Sequence, residues 1–307
     1  MSAALLFSGQ GSQYVGMIRD LYEKYPSVKE KIEIANEILG YSLKNICFEG
    51  PADVLKETRF TQPAIFLHSA AAFHIAADKL DYSAVAGHSV GEYAALYAAG
   101  VLDFETAIGL VSLRGKLMFQ AGTTEPGTMF AVLGMDDDKV IEVCRQLSAN
   151  DDDNVVVAAN FNSPGQIVVS GSAQYLRDSV SAFKNAGAKL VKELIVSGAF
   201  HSPLMQPARD QLENAIGEAK FNDAKVPVYA NVYAKPLTSA DEIRKALVEQ
   251  LTSPVLWTQT LRNMNENGID KFIEIGPGNV LQGLTKRTLK DVEISGIDKA
   301  EDIEKLS

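Results

Sequence analysis

The pentapeptide Gly87-His88-Ser89-Val90-Gly91 constrains this chain more than any other segment. It fits G-x-S-x-G, and its flanks read as a strand, Ser83 to Ala86, and an alanine-rich helix, Glu92 to Ala99, stopped by Gly100. A turn of this kind holds a serine at a tight, strained strand-to-helix reversal, with glycines on either side so that backbone and helix can approach closely. The helix N-terminus brings unpaired N–H groups and the positive end of the dipole to Ser89, a setting that favours a developing oxyanion, with the Val90 N–H as first donor. Read alone, the pentapeptide also suits a glycine-rich turn whose serine simply caps the helix.

A second strand, loop and helix unit opens the chain: Ala3 to Phe7, the glycine-bearing Ser8 to Gln13, then an amphipathic stretch from near Met17. Two such units predict an α/β fold with a parallel sheet. The middle of the chain has another rhythm. Thr128 to Leu133, Val155 to Ala159, Gln166 to Ser170 and Lys189 to Val196 read as strands, and Asp136 to Leu147 and Ala173 to Ala186 as helices. That order, β-α-β-β-α-β, is a ferredoxin-like split unit able to sit as an insert within a larger domain. With borders near Pro126 and Gly198, the expectation is a discontinuous large subdomain, 1–125 and 198–307, and a small one, 126–197. Beyond it, Pro203 marks a helix start, and strands are predicted near Val226 to Ala230 and over Lys271 to Ile275. The run Asp151-Asp152-Asp153 reads as a solvated turn.

Composition excludes several classes. Of 307 residues, 46% are hydrophobic and 22% charged, enough apolar material for two packed subdomains. Apolar runs stop well short of the roughly 20 residues that cross a membrane. The N-terminus reads as a first strand rather than a secretory leader, so a cytoplasmic protein is expected; a monomer is expected as well. Cys47 and Cys144 have no Cys or His at zinc-ligand spacing; both read as buried apolar residues, with neither disulfide nor metal. A net charge of -10 without clustered Lys and Arg argues against nucleic acid. An acidic partner would need a local basic patch, for which Lys286, Arg287 and Lys290 are candidates and an ordinary solvated helix face is the alternative.

A serine hydroxyl is a weak nucleophile and needs a base within reach. Four histidines are available. His68 and His74 fall in the helical pattern Ala64 to Ala77 and read as partly buried structural residues. His88 adjoins the serine and points the wrong way. His201, in Gly198-Ala199-Phe200-His201-Ser202-Pro203, is the candidate base. No Asp or Glu announces itself as the third member of a triad, which leaves backbone carbonyls as an alternative means of orienting the ring. Arg114 lies in a mostly apolar helical stretch, where an unpaired charge is costly; a substrate carboxylate gripped by two hydrogen bonds would resolve it, as would a snorkelling surface position.

Several further segments, read in order, resemble those of a known family: Phe7-Ser8-Gly9-Gln10-Gly11-Ser12-Gln13, Thr61-Gln62-Pro63-Ala64, the elbow with Glu92-Tyr93, Arg114 with Met118, Ala159 to Gln166, Gly198 to Ser202, Gln250 ahead of Ser253 to Trp257, and Glu274 to Gly278. Together they resemble malonyl-CoA:acyl-carrier-protein transacylases of type II fatty acid synthesis and the acyltransferase domains of polyketide synthases. The resemblance implies a hydrolase-like α/β core with a ferredoxin-like insert. It implies Ser89 as the acylated residue, His201 as its base, the main-chain carbonyl of Gln250 as the group orienting that base, Gln10 and Val90 as oxyanion N–H donors, and Arg114 as the malonyl carboxylate's partner. Malonyl-CoA would be the donor, the phosphopantetheine of an acyl carrier protein the acceptor, and no permanently bound cofactor or metal would be required. Phe200 before the histidine accompanies malonyl rather than methylmalonyl selection in related domains. Ser8, where many relatives have proline, and Val90, where leucine is common, depart from the pattern without touching a catalytic side chain.

Overall fold

The computed structural model describes residues 2–149 and 154–306, so the Asp151 to Asp153 turn lies outside the described residues. The described strands are β1 (Ser2–Phe7), β2 (Ala84–Gly87), β3 (Gly127–Leu133), β4 (Val156–Ser163), β5 (Gln166–Ser172), β6 (Leu190–Glu193), β7 (Val228–Tyr229), β8 (Pro236–Leu237), β9 (Ile269–Ile275) and β10 (Glu293–Ile297). They form two sheets, one ordered β10-β9-β1-β2-β7-β8 and one ordered β4-β5-β3-β6.

In the larger sheet every neighbouring pair from β10 to β7 is parallel, as the two strand-helix units require. Alternation along β1 assigns each residue a side: Leu5 and Phe7 pack among Leu67, Ala71 and Val90, whereas Ala4 and Leu6 pack among Trp257, Leu261 and Leu281. Helices therefore cover both faces, which is why β1 and β2 read as unbroken apolar runs. The edge strand β8 departs from the parallel expectation, pairing antiparallel with β7 across a short connection that only antiparallel strands can use.

The smaller sheet is wholly antiparallel and has its own core around Phe130, Ile167, Val169 and Phe183. With Asp137–Ala149 between β3 and β4 and two short helices between β5 and β6, the order is the ferredoxin-like one. The single helix predicted over Ala173 to Ala186 is instead two, Ala173–Asp178 and Val180–Asn185. At the break the Ser179 hydroxyl donates to the Tyr175 carbonyl at 2.7 Å, the back-bonding that disturbs helices. β6 is also shorter than predicted. After Leu194 donates to the Met129 carbonyl the chain leaves the sheet, and Ile195 is 91% exposed.

The smaller sheet joins the rest of the chain where β4 bulges between Ala158 and Asn160 and the Val255 backbone, outside both sheets, exchanges hydrogen bonds with Ala159 and Phe161, both at 2.9 Å. The elbow at the end of β2 opens toward this junction. Both cysteines are buried. Among the described residues no helix is long and apolar enough to cross a membrane.

Candidate active site

β2 ends at Gly87, and the chain reverses into the Gly91–Ala98 helix through Ser89, whose φ of 52° lies in the left-handed region. A non-glycine residue persists there only where its surroundings over-determine it. The flanking glycines are dictated by packing. A Cβ on Gly87 would sit 2.0 Å from the Gly91 backbone, and one on Gly91 would sit 2.2 Å from the Phe7 carbonyl oxygen.

His201 approaches from the segment that returns out of β6, also at positive φ, 56°. Its Nε2 lies 2.8 Å from Ser89 Oγ, and its Nδ1 lies 2.9 Å from the Gln250 carbonyl. A carbonyl only accepts, so Nδ1 carries the proton and Nε2 is left free to take the serine's. Burial first, then the charge of Arg114, pulls the His201 pKa down to about 3, so the ring is neutral at ordinary pH. The backbone N–H groups of Gln10 and Val90 donate to no protein acceptor among the described residues. Gln10, Ser89, His201, Met118, Phe200 and Asn162 help to line a cavity of about 150 Å³. Gln10 and the serine–histidine pair thus line one cavity, and Val90 adjoins the serine in the chain.

The acyl transferase domain family matches residues 4–306, nearly the whole sequence. The chain belongs to this acyl transferase family. It is 44% identical to the malonyl CoA-acyl carrier protein transacylase of Haemophilus influenzae over 298 residues, 96% of this chain and 95% of that one. The solved acyl carrier protein S-malonyltransferase of Vibrio cholerae superposes with a TM-score of 0.95 at 40% identity, covering 100% of both chains. A malonyl-transacylase solved in complex with its type II polyketide synthase acyl-carrier protein superposes at 0.94 with 39% identity, covering 100% of this chain and 99% of that one.

In this acyl transferase Arg114 projects from the Phe104–Thr124 helix and is 0% exposed, which rules out the snorkelling alternative. NH1 donates to Gln62 Oε1 at 2.7 Å; NH2 donates to Gln250 Oε1 at 2.9 Å and to Ser89 Oγ at 3.0 Å. Its Nε has no partner among the described residues. These acceptors are neutral; the buried Glu92 carboxylate acts on the guanidinium only through space, without a hydrogen bond to it among the described residues.

Three residues to which sequence reasoning gave no role also hold the acyl transferase site; Gln62 and Glu92 lie in segments that carry the resemblance, and Asn231 does not. Gln62 holds Arg114 from one side. Asn231 Oδ1 accepts from the Ser89 N–H at 2.7 Å while its Nδ2 donates to the Gly87 carbonyl at 2.7 Å. Glu92, 1% exposed, accepts from the Asn231 N–H and the Gln250 side chain. An acid inside an alanine-rich apolar helix was the available signal for Glu92; Asn231 follows a two-residue strand and offered none.

The other histidines stand apart. His88 Nε2 lies 2.8 Å from Asn162 Oδ1 and its ring meets Trp257 edge-on, so it faces away from Ser89 Oγ. His68 is buried against the Asp298 carbonyl at 2.8 Å. His74, expected to be partly buried, is exposed because it falls on the solvent side of the Thr58–Ala76 helix. Lys286, Arg287 and Lys290 are all exposed, and Arg287 NH1 donates to Gln166 Oε1 at 2.7 Å, tying the Val280–Thr288 helix to the start of β5.

Proposed function

We propose that this acyl transferase moves a malonyl group from malonyl-CoA to the phosphopantetheine thiol of an acyl carrier protein, through a malonyl ester on Ser89, to supply fatty acid elongation. The observation that carries this reading is the relay Ser89 Oγ to His201 Nε2 to the Gln250 carbonyl, at 2.8 and 2.9 Å, beside Arg114. The names of the relatives support the choice of substrates.

In the first half-reaction His201 Nε2 takes the Ser89 proton as Oγ bonds to the thioester carbonyl carbon. The Gln10 and Val90 N–H groups hold the oxyanion. The carbon–sulfur bond then breaks, and the imidazolium returns its proton to the coenzyme A thiolate. In the second half His201 takes the proton of the carrier thiol, the sulfur attacks the ester, and Ser89 Oγ leaves with that proton. Coenzyme A and the carrier arm thus use one pocket in turn. Arg114 would pair the malonyl carboxylate throughout, and Phe200, 5% exposed on the cavity wall, would crowd an α-methyl group. The relay consumes no metal or permanent cofactor.

We assign residues 126–197 to the small subdomain and 1–125 with 198–307 to the large one, a division supported by the separate cores of the two sheets. An acidic carrier would dock on Lys286, Arg287 and Lys290, and the enzyme would act as a cytoplasmic monomer. The test is initial-rate kinetics with both substrates varied. Parallel double-reciprocal lines are expected, because coenzyme A leaves before the carrier binds; intersecting lines would require a ternary complex and exclude the ester route.

A further inference from the structure

Glu92 is 1% exposed in the first turn of the Gly91–Ala98 helix, and a buried carboxylate is costly unless its oxygens are engaged. Both of its hydrogen bonds fall on one atom. Oε2 accepts from the Asn231 backbone N–H at 3.0 Å and from Gln250 Nε2 at 2.9 Å. Those donors belong to the two residues that hold Ser89 by its backbone from either side: Asn231 Oδ1 takes the Ser89 N–H at 2.7 Å, and Gln250 Nε2 donates to the Ser89 carbonyl at 3.0 Å. Gln250 has two more duties, its carbonyl facing His201 Nδ1 and its Oε1 taking Arg114 NH2.

We infer that Glu92 is a positioning residue for acyl transfer, whose Oε2 fixes Asn231 and Gln250 and through them the nucleophile, the base and one side of the arginine. The inference rests on the assignment of Ser89 as the acylated residue. Ser89 at φ 52° needs such support, since a left-handed non-glycine residue relaxes when its contacts are loosened. Without an acceptor at Oε2, the Asn231 N–H and one Gln250 amide hydrogen lie buried and unpaired, and the Gln250 side chain is held only by Arg114 and the Ser89 carbonyl. A carboxylate suits the place because neither of its oxygens can present a competing N–H to those donors. The oxygen matters more than the charge. Burial raises the Glu92 pKa to about 7, so near neutrality the group is part-protonated, and its carbonyl oxygen accepts in either state.

The test uses the full chain, measuring the single-turnover rate of ester formation on Ser89 by quench and intact mass, and malonyl-CoA affinity in a Ser89→Ala background. Glu92→Ala should lower the loading rate by about 100-fold, the scale of a small misplacement of reacting groups, with affinity changed by no more than about threefold, since Arg114 keeps its Gln62 contact. Glu92→Gln, which retains an oxygen for both donors, should load within about fivefold of wild type. A folded Glu92→Ala protein that loads like wild type, or that loses affinity as much as rate, would overturn the inference. Should that variant not fold, Glu92→Asp, whose oxygen is drawn back by one methylene, is expected to load about tenfold more slowly with unchanged affinity, and wild-type loading by it would overturn the inference equally. A wild-type enzyme that forms no ester on Ser89 removes the Ser89 assignment itself, whereas normal ester formation insensitive to Glu92 removes only this inference.

Discussion

His201→Ala is expected to lower kcat/KM for malonyl transfer by about 10⁴-fold while leaving the protein folded. The imidazole makes two hydrogen bonds, to Ser89 Oγ and the Gln250 carbonyl, and it is 4% exposed, so its loss removes the only base within reach of the serine among the described residues. Residual activity should persist through the oxyanion donors. The same ring dictates the pH dependence. A His held near pKa 3 is already in its basic, neutral form well below pH 6, so kcat/KM, which reports the free enzyme, should stay level as pH falls from 8 to 5. Loss of activity with a midpoint near the ordinary histidine value, about 6.5, would show that burial and Arg114 do not depress the base.

Arg114→Ala should cost about 10²- to 10³-fold in kcat/KM for malonyl-CoA, the scale of leaving one member of a buried, hydrogen-bonded charge pair alone. Acetyl-CoA should respond in the opposite direction, loading faster on the variant than on wild type, because an uncharged acyl group no longer strands a buried guanidinium. The geometry also links selectivity to basicity. Arg114 is the second cause of the depressed His201 pKa, after burial, so a bound malonate carboxylate that neutralises the guanidinium makes His201 a stronger base as the substrate arrives. Unchanged preference for malonyl over acetyl in Arg114→Ala, followed with both donors side by side, would remove the carboxylate contact.

How far the sequence carried this reading depended on how local each signal was. The elbow was legible because its glycines answer to steric demands that leave no alternative residue: a Cβ at Gly87 or Gly91 would meet backbone at 2.0 and 2.2 Å. The ferredoxin-like order was legible from alternating strand and helix patterns. His201 emerged by elimination among four histidines, with the other three now found against Asn162, Asp298 and solvent. The Val90 N–H followed from the elbow itself, whereas the roles of Gln10 and Gln250 came from the family resemblance, since a backbone N–H or carbonyl leaves no trace in residue type. The break at Ser179 was hidden because a serine within a helical pattern reads equally well as a surface residue. The roles of Asn231 and Gln62 were hidden for a different reason: their partners lie 142 and 52 residues away in the chain, and only the fold brings them together. Of the two placements open to Arg114, the structure has the buried one, with Gln62, Gln250 and Ser89 accepting its hydrogen bonds.

The most direct measurement is intact-protein mass spectrometry of wild type and Ser89→Ala after mixing with malonyl-CoA, followed by addition of a phosphopantetheinylated carrier protein. A malonyl adduct is expected on wild type alone, and it then passes to the carrier. An adduct on Ser89→Ala, or one on wild type that is lost to water with no carrier labelled, would contradict this expectation.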